Sequence, residues 1–395
     1  MMASPPPPAR ILIRGVNWLG DAVMTTPALL RLREAFPAAH IAMLTPEKLA
    51  DLWVHHPAVD AIHAFARQET IRHVASALRP EGFDAAIAFP NSTRSALELW
   101  WARIPMRVGY GGRGRFWLLS HTVRRRNGWT PMRKLSVRTV HRLNRGSRTE
   151  ARRDDYPAGA HHLRDYLDLV AVLGASSEPL PPRLGVSPAE IRQARERFRL
   201  APDNHRCGPL VGINAGAEYG PAKRWPPDRF IEAAAWVHQR IPCRWVVLGG
   251  AADRSLSRWL ALKLAQAIAP KGVETGGSQE SVIHLAGQTS LRELCAVLSM
   301  CRALLTNDTG PMHVAAAVGA RVVVPFGSTS PALTAPGLPG DVRHRLLLGR
   351  ASCAPCFRRE CPVDLDCLRS VTPEAVGKAL LGILTGPTTS GATVT

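Results

Sequence analysis

The chain has 395 residues, of which 46% are hydrophobic, and carries a formal net charge of +19. This length fits two ordinary domains, and the apolar content excludes a disordered chain. No run of about 18 apolar residues occurs, and the N-terminal segment lacks the apolar core of a secretory signal, so we expect a cytoplasmic protein. The excess of positive charge indicates a partner that carries phosphate groups.

The first half of the chain alternates between strand and helix patterns. Strand patterns occur at Ile11–Arg14, His40–Thr45, Val59–Phe65 and Asp84–Phe89. Helical spacing of apolar residues follows each of them, at Asp21–Ala35, Pro46–Val54, Arg67–Leu78 and Ser92–Trp101. Strands separated by helices predict βαβ units and a parallel sheet.

The alternation resumes after a proline-rich stretch, 179–208, which contains one helical segment at Glu190–Arg199. Strand patterns follow at Leu210–Asn214, Arg244–Leu248, Val282–Leu285, Ala303–Thr306 and Arg321–Pro325. Helical patterns follow at Asp228–Gln239, Leu256–Ile268, Leu291–Met300, Pro311–Val318 and Thr372–Leu384. We therefore expect an α/β protein with two Rossmann-like domains, whose ligands bind at the strand ends in the cleft between them.

The predicted domain organisation has six parts. They are a disordered tail at 1–8, a first domain at 9–178, a linker at 179–208, a second domain at 209–371, a closing helix at 372–385 and a tail at 386–395.

The loop Gly15–Asp21 follows the first predicted strand and opens the first helix. It does not have the GxGxxG pattern of dinucleotide-binding proteins, and the chain contains no P-loop. Asp21 is either a helix-start acid, which the helix dipole favours, or a functional carboxylate at the end of a strand.

The segment Asn214–Trp225 follows a strand in the second half and ends with Lys223 and Arg224. Small residues followed by two cations suit a phosphate group, because backbone N–H groups and fixed positive charges lie close together. The alternative is a surface loop with solvated basic residues.

The segment Thr306–His313 runs from a strand end into a helix. Thr309 and Gly310 can present N–H groups to an anion at the helix start, and Asp308 can accept hydrogen bonds from sugar hydroxyls. His313 either reaches the same ligand or has a structural role. The hydroxyls of Gly327–Pro331 are explained equally well by ligand contacts and by a turn.

Four cysteines near the C-terminus, Cys353, Cys356, Cys361 and Cys367, lie close enough in sequence to hold zinc or an iron–sulfur cluster. Their spacing fits neither a zinc ribbon nor a ferredoxin, so free thiols are the alternative. The other cysteines stand singly in apolar surroundings and are predicted to be core thiols: Cys207, Cys243, Cys295 and Cys301.

Taken together, the motifs resemble those of the ADP-heptose:lipopolysaccharide heptosyltransferases of glycosyltransferase family 9. The resemblance runs from about Ile11 to Leu384. It rests on NWLGD (Asn17–Asp21), MTTP (Met24–Pro27), FPNSTRSAL (Phe89–Leu97), GAEYGPAKRWP (Gly216–Pro226) and TNDTGPMHVAAA (Thr306–Ala317). Many family members have Ser and Leu where this chain has Thr309 and Pro311; both replacements are compatible with an anion site.

The resemblance implies a GT-B architecture, with two Rossmann-like domains facing across a cleft, and an inverting transferase that needs no metal or other cofactor. It implies that Asp21 is the catalytic base. The donor diphosphate would contact Lys223, Arg224, Thr309 and Gly310, and the sugar would contact Asp308 and His313. Asp253, at a strand end, is a candidate for nucleotide binding. The candidates for acceptor binding are Asn17, Trp18, Asn91 and Arg94.

The implied donor is ADP-heptose, and the implied acceptor is the lipid A–core glycolipid on the inner face of the cytoplasmic membrane. A peripheral enzyme is therefore expected. The stretch Arg103–Arg153 has fifteen Lys or Arg residues and one acid, and is either a membrane-binding or a solvated basic segment. Four tryptophans near it are either interfacial or packed beneath a loop: Trp100, Trp101, Trp117 and Trp129.

The best match within the family is the branch that adds the second heptose of the inner core. The alternatives are a member that adds a different core or O-antigen sugar, a basic nucleic-acid-binding protein and a nicotinamide-dependent oxidoreductase. No nucleic-acid-binding module is present, and the missing GxGxxG pattern counts against the oxidoreductase.

Overall fold

The computed structural model describes residues 7–112, 114–145, 156–157, 159–200, 208–269 and 281–386. The predicted tails fall almost entirely outside these ranges, as does Cys207. The chain forms two compact units: Met1–Trp129 with Pro157–Gly185, and Thr130–Tyr156 with Val186–Thr395. The described residues 130–145 thus group with the second unit, although they lie inside the predicted first domain.

The first unit contains an all-parallel sheet. Its strands are β1 (Arg10–Arg14), β2 (His40–Pro46), β3 (Ala61–Phe65), β4 (Ala85–Ala88), β5 (Met106–Tyr110) and β6 (His121–Val123). Its helices are α1 (Leu19–Ala35), α2 (Glu47–Ala50), α3 (Ile71–Leu78), α4 (Thr93–Trp101) and α6 (Leu163–Ala171).

Within the described residues this sheet has six strands in the order β3-β2-β1-β4-β5-β6. Ile11 of β1 lies opposite Ile41 of β2 on one side and Ala85 of β4 on the other. The central strands are almost fully buried, as expected for a parallel sheet with helices on both faces. The strand order reverses between β1 and β4.

The second unit repeats this plan. Its strands are β7 (Leu210–Asn214), β8 (Arg244–Val247), β9 (Val282–His284), β10 (Ala303–Thr306), β11 (Arg321–Phe326) and β12 (Arg345–Leu348). Its helices are α5 (Val137–Arg145), α7 (Pro188–Arg197), α8 (Pro227–His238), α9 (Arg254–Ile268), α10 (Leu291–Met300), α11 (Gly310–Ala317), α12 (Pro331–Thr334), α13 (Asp366–Arg369) and α14 (Pro373–Thr385).

In the described part of the second unit, six parallel strands follow the order β12-β11-β10-β7-β8-β9, with a reversal between β10 and β7. Its core joins the sheet to helices α8, α9 and α14 around buried Trp225, Phe230 and Trp245. Val140 of α5 is fully buried in the same core, which explains why residues 130–145 fold with this unit.

Local sequence signals fix several helix ends. Ser290 and Glu293 form a reciprocal capping box at the start of α10, and Ser187 and Glu190 form another at the start of α7. Each box satisfies N–H groups that the first helical turn leaves without a partner. Among the described residues, no helix is long and apolar enough to cross a membrane.

The two parallel sheets confirm the predicted α/β class, and every predicted strand is present to within two residues at either end. Among the described residues, seven strands and helices had no counterpart in the prediction: β5, β6, β12, α5, α6, α12 and α13. The strand β6 has only three residues, of which His121 and Thr122 are exposed. Such a strand lacks an apolar pattern and is recognisable only from its pairing with β5.

Candidate functional site

The strand order reverses once in each sheet, and the loops that leave the strands there carry the predicted site residues. In the first unit these are the loops after β1 and β4. In the second unit they are the loops after β7 and β10. Ligands of open α/β sheets bind beside the carboxyl ends of the strands at such reversals. The topology therefore indicates one candidate site in each unit.

The loop after β1 brings Asp21 to the first turn of α1. Trp18, which precedes the helix, supplies no capping side-chain hydrogen bond. The positive end of the helix dipole favours an anionic group here. A Cβ at position 15 would lie 2.8 Å from the Sδ atom of Met43 and 3.3 Å from the carbonyl oxygen of Leu44, so glycine here lets the loop pack closely against β2. Burial, followed by the charge of Asp21, raises the pKa of Tyr166, so that its phenol stays neutral near the carboxylate.

A buried ion pair lies beneath this loop. Arg14 and Glu98 are 2% and 0% exposed, with 2.8 Å between Nε and Oε2. Nη1 of Arg14 also donates to the carbonyl of Gly15 at 2.6 Å and to Oδ1 of Asn17 at 3.1 Å. Arg14 therefore fixes the backbone where the loop begins and orients the Asn17 side chain, which is a candidate for acceptor binding.

A second buried arginine holds the loop after β4. Nη2 of Arg115 donates to the carbonyl of Pro90 at 3.2 Å, and its Nη1 donates to Oδ1 of Asn91 at 3.4 Å. Arg115 is 3% exposed, whereas Asn91 is exposed. Arg115 thus positions Asn91 from the buried side of the loop, while the Asn91 side chain remains accessible to a ligand.

The remaining two acceptor candidates differ in their surroundings. Trp18 is 41% exposed, and the ammonium of Lys48 lies 5.4 Å from its ring. Arg94, by contrast, donates from Nε to Glu98 at 2.8 Å and from Nη2 to the carbonyl of Glu69 at 2.7 Å. Arg94 thus contributes to the buried network that supports the loop.

Lys223 and Asp308 form the ion pair at the centre of the candidate site in the second unit. Nζ of Lys223 lies 2.6 Å from Oδ2 of Asp308, with side chains 13% and 5% exposed. The hydroxyl of Thr329, in the loop after β11, donates to the same oxygen at 2.5 Å. The ring of Tyr219 lies 5.0 Å from the Lys223 ammonium. A cation, a carboxylate and a hydroxyl thus meet where three strands end.

The start of α11 lies beside this pair. Thr309 is extended and precedes the helix without a capping side-chain bond, and Pro311 lies in the first turn, where it needs no hydrogen-bond donor. His313 is buried in this helix, and burial lowers its pKa to about 4 although the charge of Asp308 opposes the shift. A neutral His313 adds no charge at the helix start, where Lys223 supplies positive charge for an anion.

Two buried amides join the loops of the second unit. Nδ2 of Asn307 donates to the carbonyl of Ala215 at 2.8 Å, and its Oδ1 accepts from the backbone N–H of Trp225 at 2.9 Å. Asn214 donates to the hydroxyl of Thr306 at 3.2 Å. These bonds set the spacing between the loop that carries Lys223 and the loop that carries the carboxylate.

Asp253 also lies at this site. Its Oδ1 is 3.4 Å from Nη2 of Arg224, and a Cβ on Gly216 would lie only 2.3 Å from its Oδ2. Glycine at position 216 is thus required by the close approach of the carboxylate. The structure thus pairs Asp253, the candidate for nucleotide binding, with Arg224, a candidate for diphosphate binding.

The segment that carries the four clustered cysteines, 353–367, contacts and supports the loop that carries Lys223. The hydroxyl of Tyr219 donates to the carbonyl of Phe357 at 2.8 Å, and the N–H of Ala222 donates to the carbonyl of Arg359 at 2.9 Å. A Cβ on Gly220 would lie 2.5 Å from that same Arg359 oxygen. This loop therefore acts as a platform for the candidate phosphate-binding loop.

The four clustered cysteines are free in the structure, and three of them are buried. Burial raises the pKa of Cys353 to about 11 and that of Cys367 to about 12, which keeps both thiols protonated. Across the described ranges, no group of three or more His, Cys, Asp or Glu residues is arranged to hold a metal ion. The three isolated cysteines within those ranges are buried, as expected: Cys243, Cys295 and Cys301.

Several residues of these sites were not predicted from the sequence: Arg14, Glu98, Arg115, Tyr166, Tyr219, Asn307 and Thr329. Thr329 lies in a loop that the strand pattern marked, but a turn explained its hydroxyl equally well. Arg14 carried a detectable signal, since an arginine that ends an otherwise apolar buried strand needs a buried partner.

The chemistry available differs between the two units. The second unit offers a lysine, a second cation at Arg224, a helix start and hydroxyl groups, which suit a diphosphate. The first unit offers the Asp21 carboxylate, which can accept a proton, beside exposed amides that can bind hydroxyl groups.

Comparison with known proteins identifies the family. Residues 131–365 match the family model described as glycosyltransferase family 9 (heptosyltransferase). The chain is 29% identical to lipooligosaccharide heptosyltransferase 2 of Haemophilus ducreyi, over 86% of this chain and 89% of the relative. It is 30% identical to lipopolysaccharide heptosyltransferase 2 of Escherichia coli, over 83% and 85%.

A solved structure is also similar. The structure of the ADP-heptose LPS heptosyltransferase II of Escherichia coli matches with a TM-score of 0.70 and 26% identity, covering 95% of this chain and 98% of that one. This likeness confirms the expected GT-B architecture.

Proposed function

Because the chain belongs to glycosyltransferase family 9, the heptosyltransferase family, we propose that it transfers heptose from ADP-heptose to the inner core of lipopolysaccharide. The step is the addition of the second heptose, because its relatives of about 30% identity over most of the chain are type 2 enzymes. The similar structure is that of an ADP-heptose LPS heptosyltransferase II from Escherichia coli, which supports ADP-heptose as the donor.

The reaction is a single displacement at the anomeric carbon. The acceptor hydroxyl oxygen forms a bond to this carbon while the bond to the diphosphate oxygen breaks, and ADP leaves with the electron pair. The hydroxyl proton passes to the carboxylate of Asp21, and the configuration inverts. Asp21 suits this role because it lies in the first turn of α1, in the unit that carries exposed amides.

The observation that carries the donor assignment is the Lys223–Asp308 pair beside the start of α11. Negative charge grows on the leaving diphosphate, and fixed cations and helix N–H groups stabilise it. Lys223, Arg224, Thr309 and Gly310 bind this group. Asp308 exchanges part of its ion pair for hydrogen bonds from heptose hydroxyls.

His313 completes the sugar side of the donor site. Because burial keeps its ring neutral, it contributes one donor and one acceptor of hydrogen bonds without adding a charge near the anomeric carbon. Asp253, paired with Arg224, binds the ribose of the nucleotide. No metal ion is needed in this scheme, because protein cations compensate the diphosphate.

The acceptor is the lipid A–core glycolipid, which makes the enzyme peripheral to the inner face of the cytoplasmic membrane. Asn17, Trp18 and Asn91 contact its sugars, and Arg94 acts through the buried network around Glu98.

The test measures ADP release from ADP-heptose with a purified core acceptor that carries one heptose. We expect Asp21→Asn to reduce turnover by about 10²- to 10⁴-fold while ADP binding, measured by calorimetry, stays within twofold of wild type. Asp51→Asn serves as the matched control, because Asp51 is an exposed carboxylate of the same unit. Turnover by Asp21→Asn at the rate of the control variant would contradict the assignment of Asp21 as the catalytic base.

The acceptor series decides the step. If a heptose-free acceptor is used and the mono-heptosylated one is not, the donor stands and the second-heptose assignment is wrong. If wild type releases ADP with neither acceptor, the proposed heptosyl transfer is wrong. Other core sugars would then be tested as substrates in the same ADP-release assay.

A further inference from the structure

The connection from β5 to β6 presents two aromatic side chains to solvent. In place of a long crossover helix it has a three-residue turn, Arg115–Trp117. Phe116 is 50% exposed and Trp117 is 77% exposed. Their ring centroids lie 4.7 Å apart, so that the two rings form one apolar projection, which we name the aromatic wedge.

The wedge is a fixed part of the fold. Arg115, before it, is buried and bonded to the loop after β4, and Leu119, after it, is 6% exposed. The backbone of Leu118 donates to the carbonyl of Arg115 at 2.9 Å and accepts from Nε of Arg107 at 2.7 Å. Because the flanking residues point inward and are bonded, the outward direction of the two rings is set by the fold.

The sequence around the wedge is rich in arginine. Between positions 103 and 129 the sequence contains seven arginines and no Asp or Glu. His121, on the edge strand β6, and Arg124, directly after that strand, are exposed. Arg125 and Arg126 are paired with Asp165, and Arg126 is also paired with Asp168, so these two acids compensate their charge and Arg124 remains as an exposed positive charge. An exposed apolar projection in a basic surface complements an anionic lipid interface, where aromatic rings lie at headgroup level.

We propose that the aromatic wedge inserts into the headgroup region of an anionic lipid bilayer and docks the first unit on the membrane. The size of the wedge argues for a bilayer over a second copy of the chain. Two partly exposed aromatic rings offer roughly 300 Å², whereas a stable protein interface buries roughly 800 Å² on each partner.

The wedge is joined to the proposed acceptor site. Arg115 adjoins Phe116 in sequence and contacts Asn91, a candidate for acceptor binding, through its guanidinium. Docking by the wedge therefore holds the loop after β4 close to the lipid surface. This part of the inference rests on the proposed function, because it matters only if the acceptor is a membrane glycolipid.

The proposal is tested by co-sedimentation of the full chain with vesicles of phosphatidylethanolamine and phosphatidylglycerol. We expect the double substitution Phe116→Ala with Trp117→Ala to weaken vesicle binding roughly 10- to 100-fold, as loss of two buried aromatic groups predicts. Trp100→Ala is the matched control, since Trp100 is 47% exposed on helix α4 of the same unit. Its vesicle affinity should stay within twofold of wild type.

Three results would overturn the proposal: vesicle affinity of the double variant within twofold of wild type, an equal loss in Trp100→Ala, or equal wild-type binding to phosphatidylcholine vesicles. A wild-type dimer that dissociates in the double variant, seen by sedimentation, would also overturn it in favour of self-association. Melting temperature of the double variant should match wild type, because both side chains are exposed.

Turnover measurements distinguish a failure of the membrane-docking proposal from a failure of the proposed function. The double variant should keep wild-type turnover on a delipidated core acceptor and lose it on the same acceptor embedded in vesicles. If wild type turns over neither acceptor but the vesicle results hold, the proposed function fails and the wedge stands. If turnover is normal on both acceptors in the double variant, the wedge has no role in presenting the acceptor.

Discussion

The two units share one sheet topology and place a cation–carboxylate pair near the strand reversal, yet the two pairs differ in accessibility. Arg14 and Glu98 are sealed beneath the loop, at 2% and 0% exposure. Lys223 and Asp308 lie at loop ends and keep part of their surface, at 13% and 5%. A sealed pair can only hold backbone in place, whereas a partly accessible pair can exchange contacts with a ligand. Comparable elements therefore form a scaffold in one unit and the proposed binding site in the other.

The partners of each pair support this difference. Glu98 accepts from two arginines, and Arg14 donates to a backbone carbonyl and an amide, so the bonding capacity of both is largely used. Asp308 shares one oxygen between a lysine and a hydroxyl. A lysine ammonium is a mobile point charge that rearranges more easily than a guanidinium fork.

Replacing Arg14 should have the largest effect on stability. Arg14→Met leaves the Glu98 carboxylate buried without its main partner, and we expect the free energy of unfolding to fall by about 3–5 kcal/mol. Arg10→Met is the control, because its ion pair with Glu81 is 37% exposed on both sides and should contribute about 1 kcal/mol or less. Urea unfolding measures both. Equal losses in the two variants would contradict a scaffold role for the Arg14–Glu98 pair.

Replacing Lys223 should act on binding more than on stability. We expect Lys223→Met to weaken ADP binding by about 10- to 100-fold, because one charge-assisted contact to phosphate is lost. Its stability loss should be smaller than that of Arg14→Met, since the Thr329 hydroxyl still donates to Asp308. Calorimetry with ADP measures the affinity, and Lys263→Met, on the exposed face of α9, is the control. Unchanged ADP affinity in Lys223→Met would show that Lys223 does not bind the diphosphate.

Acid should weaken the second unit through its buried histidines. Burial lowers the pKa of His344 to about 4 from 6.5, so between these values the unfolded chain binds a proton that the folded chain does not. Stability from His344 is therefore complete above pH 6.5 and is lost as the pH falls toward 4, by about 3 kcal/mol. Unfolding of wild type and His344→Gln, measured at pH 7 and pH 4.5, should show a smaller acid loss in the variant. An equal acid loss would exclude His344 as a contributor.

The sequence supported different levels of prediction in the two sites. The motif around Asp308 and the lysine at 223 were identified because glycine, hydroxyl and charged residues follow buried strands in a local order. Their pairing was not predicted, because a sequence pattern gives the loop and not the distance between two loops. Arg94 was expected to contact the acceptor, whereas its hydrogen bonds go to Glu98 and to the carbonyl of Glu69.

The sequence by itself determined the alternating α/β plan, most strand and helix positions, and the loops that carry the chemistry. These depend on local apolar periodicity and on residues that suit helix starts. Only the tertiary structure decided the short strands at the sheet edges, the assignment of residues 130–145 to the second unit, the sealed Arg14–Glu98 pair and the outward aromatic wedge. Each of these depends on contacts between residues far apart in sequence, where burial and partner geometry, and not residue type, decide the outcome.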